Sequence, residues 1–251
     1  MTYQVLPILQ QDLIGNTNNY YPSKTRGFVF GRAPDVDNVR VDLWEGPTTT
    51  YVFPTSAVQM AVVSSSANDA AAGTGMRQVM IHYLDNAYAV QTETVTLNGT
   101  TPVNTVATNI LRINGIHAVA VGAGGTSAGN ISITNGGVTY GYISAGSNTA
   151  RQAVYTVPAG KTGYISHWQA SSGSTGAHFC QIILQATTHD GVLWPGVFLL
   201  QDEQGTQNSG ISVTFPTPIP IPAQTDVKLS AISDGGTANV IALGAIMGWF
   251  E

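Results

Sequence analysis

Short runs of alternating apolar and polar residues, separated by turn formers, dominate the chain from Val39 onward. The segments VRVDLW (39–44), QVMIHYL (78–84) and TETVTL (92–97) place apolar residues at nearly every second position. This period of two is typical of strands with one buried face. The third segment stops at Asn98-Gly99, a dipeptide that favours a hairpin turn. The pattern therefore predicts antiparallel β-structure.

Similar short segments continue to the end of the chain. The first group of further candidate strands comprises 110–113, 118–121 and 130–133, and it closes at Asn135-Gly136-Gly137. A second group begins near Tyr142 and comprises 152–157, 163–168, 178–186, 194–200, 211–215, 227–232 and 240–246. Regular short strands divided by Gly, Asn and Asp indicate sandwiches or barrels.

Two segments refine this pattern. Residues 178–186 form an apolar run long enough for a central strand that is covered on both sides. In 216–222 proline occupies every second position, which removes backbone donors on one side and restricts the segment to a sheet edge. No segment has a convincing helical period, and the Ala-rich stretch 67–75 is predicted to be a loop.

Residues 1–38 have neither the period of two that is typical of strands nor the period of 3.6 that is typical of helices. Turn formers here alternate with isolated aromatic residues, and we interpret the stretch as an extended arm that docks on a neighbouring molecule. The residues that we expect to make this contact are Tyr20, Tyr21, Arg26, Phe28, Phe30 and Arg32, with the two arginines pairing to acidic groups of a partner. An ordinary surface loop is the alternative.

The predicted fold is thus all-β. It consists of an extended N-terminal arm (1–38), a first β-sandwich domain (39–139) and a second, jelly-roll-like β-sandwich domain (140–251).

Composition narrows the classes of partner. Only 9% of residues are charged and the net charge is −5, so no basic surface is available for nucleic acid or anionic lipid. No apolar run is long enough to cross a bilayer. The first residues lack the features of a secretory signal, so we expect synthesis in a cytoplasm. Cys180 is the single cysteine, which excludes an internal disulfide and a cysteine-based zinc site.

Catalytic patterns are absent from the sequence. The string GTSAG (125–129) matches GxSxG in letters, but it lies between predicted strands with no helix after it, so no nucleophile elbow is predicted; the five histidines occur singly rather than at metal-ligand spacing. Asp202-Glu203 is the one adjacent acid pair, and a solvated loop explains it better than a glycosidase site does. Asn68-Asp69 and 234–236 are more typical of turns than of calcium loops. We therefore predict no catalytic residue, no cofactor and no metal.

Several stretches resemble structural proteins encoded in the virion gene clusters of tailed bacteriophages. They are SSSANDAAAGTGMRQVMIHYLD (64–85), ETVTLNGTTPVNT (93–105), LRING (111–115), GNISI (129–133), ISAGSNTARQAVYTVPAGKTGYI (143–165) and IPIPAQTDVKLSAIS (219–233). The resemblance covers most of the chain beyond the arm. The family consists of capsid decoration (cement) proteins and head fibres.

This resemblance implies a non-enzymatic protein on the outer surface of a phage head. Its expected partners are the major capsid protein and copies of itself, with a homotrimer as the expected oligomer. The alternative is a head-fibre or tail-associated adhesin that binds host surface glycans. In that case Trp168, Trp194, Tyr140 and Tyr142 are the candidates for stacking on sugars, although a place in the core is the simpler role for such large aromatics.

Overall fold

The computed structural model describes residues 25–174, 176–187, 197–235 and 240–251. These residues form sixteen strands and no helix, so the predicted all-β fold is confirmed. The strands that build the first of two sandwiches are β1 (Thr25–Val36), β2 (Val41–Asp42), β10 (Val154–Thr156), β11 (Gly163–Gly173), β12 (Cys180–Thr187), β13 (Phe198–Thr206), β14 (Gly210–Ile221), β15 (Asp226–Ser233) and β16 (Val240–Phe250).

This first sandwich has the strand order of a jelly roll. One sheet, here called sheet I, is four-stranded with the order β1-β16-β11-β14. The other, sheet II, has the order β10-β15-β12-β13, and β2 also pairs with β15. If β2 and β10 are taken as one interrupted strand, the eight strands form the two Greek keys of a jelly roll. Trp168, Ile182, Leu184 and Leu229 fill the space between the sheets.

The remaining strands form a second sandwich with its own core. They are β3 (Ala61–Ser64), β4 (Met76–Asp85), β5 (Val90–Thr96), β6 (Val103–Asn104), β7 (Ile110–Val121), β8 (Ile131–Asn135) and β9 (Val138–Ile143). A four-stranded sheet, β6-β3-β8-β9, packs on a three-stranded one, β5-β4-β7. Alternate residues such as Val79, Ile81, Ile131 and Ile133 point into the core.

The second sandwich is inserted into one strand of the jelly roll. The Leu43 N–H donates to the Leu229 carbonyl (2.9 Å), and the Leu229 N–H donates to the Ala153 carbonyl (3.0 Å). The Ala153 N–H in turn donates to the Leu43 carbonyl (2.8 Å), so the chain leaves and re-enters the sheet at one place. We call strands β3–β9 the inserted domain and the rest the jelly-roll domain.

This connectivity differs from the predicted division at 38 and 139. Thr25–Val36, expected as part of an arm, is a strand that pairs with β16 along most of its length. Strand β2 belongs to the jelly-roll domain, and β9 extends the inserted domain beyond 139. The prediction assumed that domains follow one another along the chain, whereas both ends of this chain contribute to one sandwich.

Two local predictions are confirmed and one is revised. Strand β14, which contains three of the four alternating prolines, lies at the edge of sheet I. Residues 67–75 contain turns and no helix. The segments 110–113 and 118–121, expected as two strands, are one strand with several register shifts. At one of them His82 pairs with Gly115 and Tyr83 with Ile113, leaving Asn114 as the extra residue.

Candidate functional site

The outer surface of sheet I carries large apolar side chains that belong to neither core. On β1, Val29 and Ala33 pack into the jelly-roll core, and a Cβ on Gly31 would lie 2.0 Å from the Leu43 carbonyl oxygen. The residues between them therefore point outward. Phe28 is 47% exposed, and Phe30 is half-buried.

Strand β16 presents the same kind of residue on the same side. Val240, Ala242 and Ile246 point into the core, so the residues that alternate with them point outward. Phe28 lies opposite Met247, Phe30 opposite Ala245 and Arg32 opposite Leu243. We call the following set the apolar face: Phe28, Phe30, Ile241, Leu243, Met247 and Trp249.

Polar residues border the apolar face on the next two strands. Tyr164 of β11 lies opposite Trp249, and the two rings stack with centroids 5.4 Å apart. His167 forms a hydrogen bond with the Thr214 hydroxyl of β14 at 3.0 Å. The outward positions further along β11 are Gln169 and Ser171. The sheet surface thus changes from apolar at β1 and β16 to polar at β11 and β14.

A buried carboxylate controls the charge at one end of the face. Glu45 accepts hydrogen bonds from Arg32 (2.7 Å), Arg151 (2.9 Å) and the Ser144 hydroxyl (2.6 Å). Burial alone would raise the pKa of Glu45, but these three hydrogen bonds outweigh it and lower the pKa below its ordinary value. Two arginines thus share one carboxylate, and the cluster keeps one net positive charge.

A cleft of about 440 Å³ separates β1 from the inserted domain. Phe28 and Phe30 line one wall, and the opposite wall is largely polar, with Asn114, Asn148, Thr149 and Gln152. Asn114 is held by a pair of 2.9 Å hydrogen bonds with the backbone of Thr156. The cleft therefore combines exposed aromatic rings with amide and hydroxyl groups.

The predicted contact residues fall into three groups. Tyr20 and Tyr21 lie outside the described residues. Arg26 is paired with Trp249 through its backbone, and its side chain is outside the description. Phe28, Phe30 and Arg32 share the outer side of β1, on a sheet strand and not on an arm.

Sequence reasoning missed Leu243, Met247 and Trp249. The run VIALGAIMGWF is apolar at both alternating sets of positions, which is typical of a strand covered on both sides. The outer set is not packed against either core in the described part of the chain. The sequence of β16 is thus typical of two buried sides, whereas the structure buries one of them. This difference was the signal that could have identified the apolar face.

The aromatic residues considered for sugar stacking have other positions. Trp168 is 0% exposed in the jelly-roll core, so its ring cannot stack on a sugar. The Tyr140 ring packs against the core of the inserted domain, and Tyr142 packs against Trp44, Tyr51 and Phe53 at the domain junction. Trp194 lies outside the described residues.

The groups considered for catalysis or metal binding have structural partners. Asp202 accepts a 2.9 Å hydrogen bond from the Trp168 indole N–H. The Asp69 carboxylate accepts four hydrogen bonds, from the backbone of Met76, Ala128 and Gly129 and from the Ser64 hydroxyl. Across 25–174, 176–187, 197–235 and 240–251, no three His, Cys, Asp or Glu side chains are grouped to hold a metal ion.

His82 and His117 are the one pair of histidines whose rings stack within the described ranges, with centroids 5.0 Å apart. Burial, and secondarily the neighbouring His117, lower the pKa of His82.

No helix that could cross a membrane is found among the described residues.

Two solved structures have a distant likeness to this chain. No family model matches the chain, and no curated protein matches it. A structure of infectious bursal disease virus, Gt strain, is 10% identical, with 94% of this chain and 74% of that chain covered and a TM-score of 0.20. A lipoprotein from Bacteroides thetaiotaomicron is 10% identical, with 87% and 96% covered and a TM-score of 0.17. The chain thus has a weak structural similarity to a viral protein, and at these TM-scores neither likeness supports an argument.

Proposed function

We propose that this chain is a bacteriophage structural protein, a decoration (cement) protein that binds the outer surface of the head and stabilises it. The apolar face is the observation that carries the proposal. The largest contiguous apolar patch on a soluble monomer is often a functional site, and patches beyond a few hundred Å² usually mark an interaction surface. A sheet that carries Phe28, Met247 and Trp249 outward is suited to a protein that is completed by its neighbours in an assembly.

The free energy of apolar burial favours this role for a protein that is present in many copies on one shell. Burying a large apolar side chain contributes about 1.5–3 kcal/mol when it starts fully exposed, and roughly half of that when it starts half-buried. A few such residues per copy give weak contacts individually. Many copies on one shell add these contacts, so attachment becomes strong without any tight single site. The protein then works by binding and needs no catalytic group.

The jelly-roll order is compatible with this proposal. Jelly rolls occur in viral capsid proteins and also in lectins, and therefore the fold by itself does not select between the two. The protein would be made in the host cytoplasm and reside on the outer capsid surface. Its partners would be the major capsid protein and copies of itself.

Binding to capsids that lack this protein tests the proposal. We expect the purified full chain to bind at a fixed number of copies per capsid and to raise the temperature at which capsids open. Absence of saturable binding would overturn the proposal. Serum albumin at the same concentration controls for nonspecific adsorption.

The arm hypothesis needs a shorter deletion than residues 1–38. Removing Thr25–Val36 would remove an edge strand of sheet I, so only residues 1–24 are deleted. We expect capsid affinity to fall by about tenfold or more, since about 1.4 kcal/mol of lost contact corresponds to a factor of ten. Undiminished affinity would show that Tyr20 and Tyr21 do not make the capsid contact.

A second candidate function is a glycan-binding adhesin. The cleft beside β1 favours it, because ligand sites often lie at domain interfaces and have volumes of about 300–1,000 Å³. Phe28 and Phe30 would stack on a sugar, and Asn148 and Thr149 would bond its hydroxyls. Binding on a glycan array that is lost in Thr149→Val but retained in Thr101→Val, a substitution at an exposed threonine elsewhere, would support this function.

A further inference from the structure

We infer that a second copy of this chain covers the apolar face. The inference rests on the proposed function, in which the protein works within an assembly, and it names the molecule that this surface meets. Two properties of the face, its composition and its size, support a copy of the same chain.

The composition is that of the centre of a protein–protein interface. Such centres are enriched in aromatic residues and Met and are depleted in charged residues, and a polar border surrounds them. The apolar face contains Phe28, Phe30, Met247 and Trp249 on two adjacent strands. Gln169, Ser171 and the bonded pair His167 and Thr214 form a polar border on one side.

The six residues of the apolar face carry no charge that would select a charged partner. The chain has a net charge of −5, so two copies repel each other at long range. The outward positions of β16 from 241 to 249 and of β11 from 164 to 171 contain no acidic residue. Arg32, at the border, is already paired with the buried Glu45. Two charged groups remain at the border of the apolar face: Glu251, which forms a hydrogen bond with Tyr164, and the cluster in which Arg32 and Arg151 share the Glu45 carboxylate.

The size of sheet I is sufficient. Four strands about 4.8 Å apart, with lengths up to about 37 Å, give a surface on the order of 700 Å². A standard interface buries about 800 Å² on each partner. A sheet-to-sheet contact that includes the polar border thus comes close to the area of a standard interface.

The mass of the purified full chain in solution tests this inference. At about 10 μM, where a Kd in the micromolar range gives substantial association, we expect light scattering to give two or more times the 26.3 kDa of one chain. In Phe28→Glu the mass should fall to that of one chain, because two like charges would meet in an apolar contact. Val119→Glu is the control: Val119 is 48% exposed, Phe28 is 47% exposed, and Val119 lies on the inserted domain.

Met247→Glu repeats the test from the neighbouring strand in case Phe28→Glu fails to fold, which circular dichroism would report. The inference is overturned if the unmodified chain has the mass of one copy, or if a folded face variant associates as tightly as Val119→Glu does. A monomer that saturates capsids would overturn this inference alone. An oligomer that ignores capsids would overturn the proposed function alone.

Discussion

Arg112 of the inserted domain and Asp226 of the jelly-roll domain form an ion pair that is almost completely buried. Their side chains are 1% and 0% exposed, and Arg112 Nε lies 2.9 Å from Asp226 Oδ1. Arg112 Nη2 donates to the second carboxylate oxygen at 3.2 Å, and Nη1 donates to the Pro54 carbonyl at 2.7 Å. The Thr156 hydroxyl also donates to Asp226. This pair ties the two domains together.

Removing the cation should strongly destabilise the protein. Arg112→Met leaves the Asp226 carboxylate buried without its counterion, and we expect a loss of about 3–5 kcal/mol in the free energy of unfolding. Urea titration measures it. Arg40→Met, at an exposed arginine, is the control and should change stability by less than about 0.5 kcal/mol.

The double variant Arg112→Met/Asp226→Leu should recover part of this loss, because it removes both charges from the interior. A loss in Arg112→Met no larger than in Arg40→Met would contradict the structural role of the pair.

Glu45 should make the stability of the folded protein depend on pH in the acidic range. Its pKa in the folded protein lies below the ordinary 4.5, because the hydrogen bonds from Ser144, Arg32 and Arg151 outweigh burial. The unfolded chain therefore binds the proton more tightly, and the stabilisation is present above that ordinary pKa and is lost as pH falls through the folded value. Unfolding between about pH 3 and pH 7 should show the stability difference between the unmodified chain and Glu45→Gln shrinking toward low pH. A difference that is independent of pH would refute this account.

Asp69 should be essential for the loops of the inserted domain. Its two oxygens accept hydrogen bonds from Met76 N (2.6 Å), Ala128 N (2.8 Å), Gly129 N (2.8 Å) and Ser64 Oγ (2.6 Å). In Asp69→Asn one oxygen becomes an amide donor that faces other donors, so we expect a loss of about 3 kcal/mol. Asp35→Asn, at an exposed position, should be neutral in the same unfolding assay. Equal stability of the two variants would show that the contacts are dispensable.

The neighbouring acids Asp202 and Glu203 should behave differently. Asp202→Ala leaves the buried Trp168 indole N–H without its 2.9 Å partner, which costs about 1–3 kcal/mol of stability. Glu203 is exposed, and Glu203→Ala should stay within about 0.5 kcal/mol. Thermal unfolding distinguishes the two. A glycosidase pair would instead lose turnover of host polysaccharide in both variants with little change in stability.

Cys180 should be unreactive in the folded protein. Burial, with a smaller contribution from Asp234, raises the pKa of its thiol to about 11. Because the thiolate is the reactive form, alkylation near pH 8 should be at least about 100-fold slower in the native chain than in urea. Equal alkylation rates in the native chain and in urea would mean that β12, which carries Cys180, opens readily in the folded protein.

Several features of the fold were predictable because they depend on local periodicity. The alternation in residues 78–84 and 92–97 identified β4 and β5, since opposite faces of a strand meet different surroundings. The apolar run 178–186 identified the central strand β12, and the prolines of 216–222 identified an edge strand. Phe28 and Phe30, selected from the sequence as contact residues of an arm, are packed against neither core, and their contact with a partner stays a prediction.

Other features required the tertiary structure. β1 resembles an arm in sequence because Gly27, Gly31, Pro34 and Asp35 obscure the period of two. Its inner positions need small residues where its backbone approaches Leu43 and Ala153, which no local pattern reveals. The outward side of β16 could not be distinguished from a second buried side until its neighbours were known.

The amino-acid sequence alone specifies which positions alternate between apolar and polar. Side-chain direction in a strand reverses at each residue, and the hydrophobic effect buries the apolar side wherever the strand lies. Which strands become neighbours is a long-range outcome. Arg112 and Asp226 are 114 positions apart, and Leu43 meets Ala153 only because an entire sandwich closes between them. The packing of two cores selects these pairings, and with them the surface that is left for a partner.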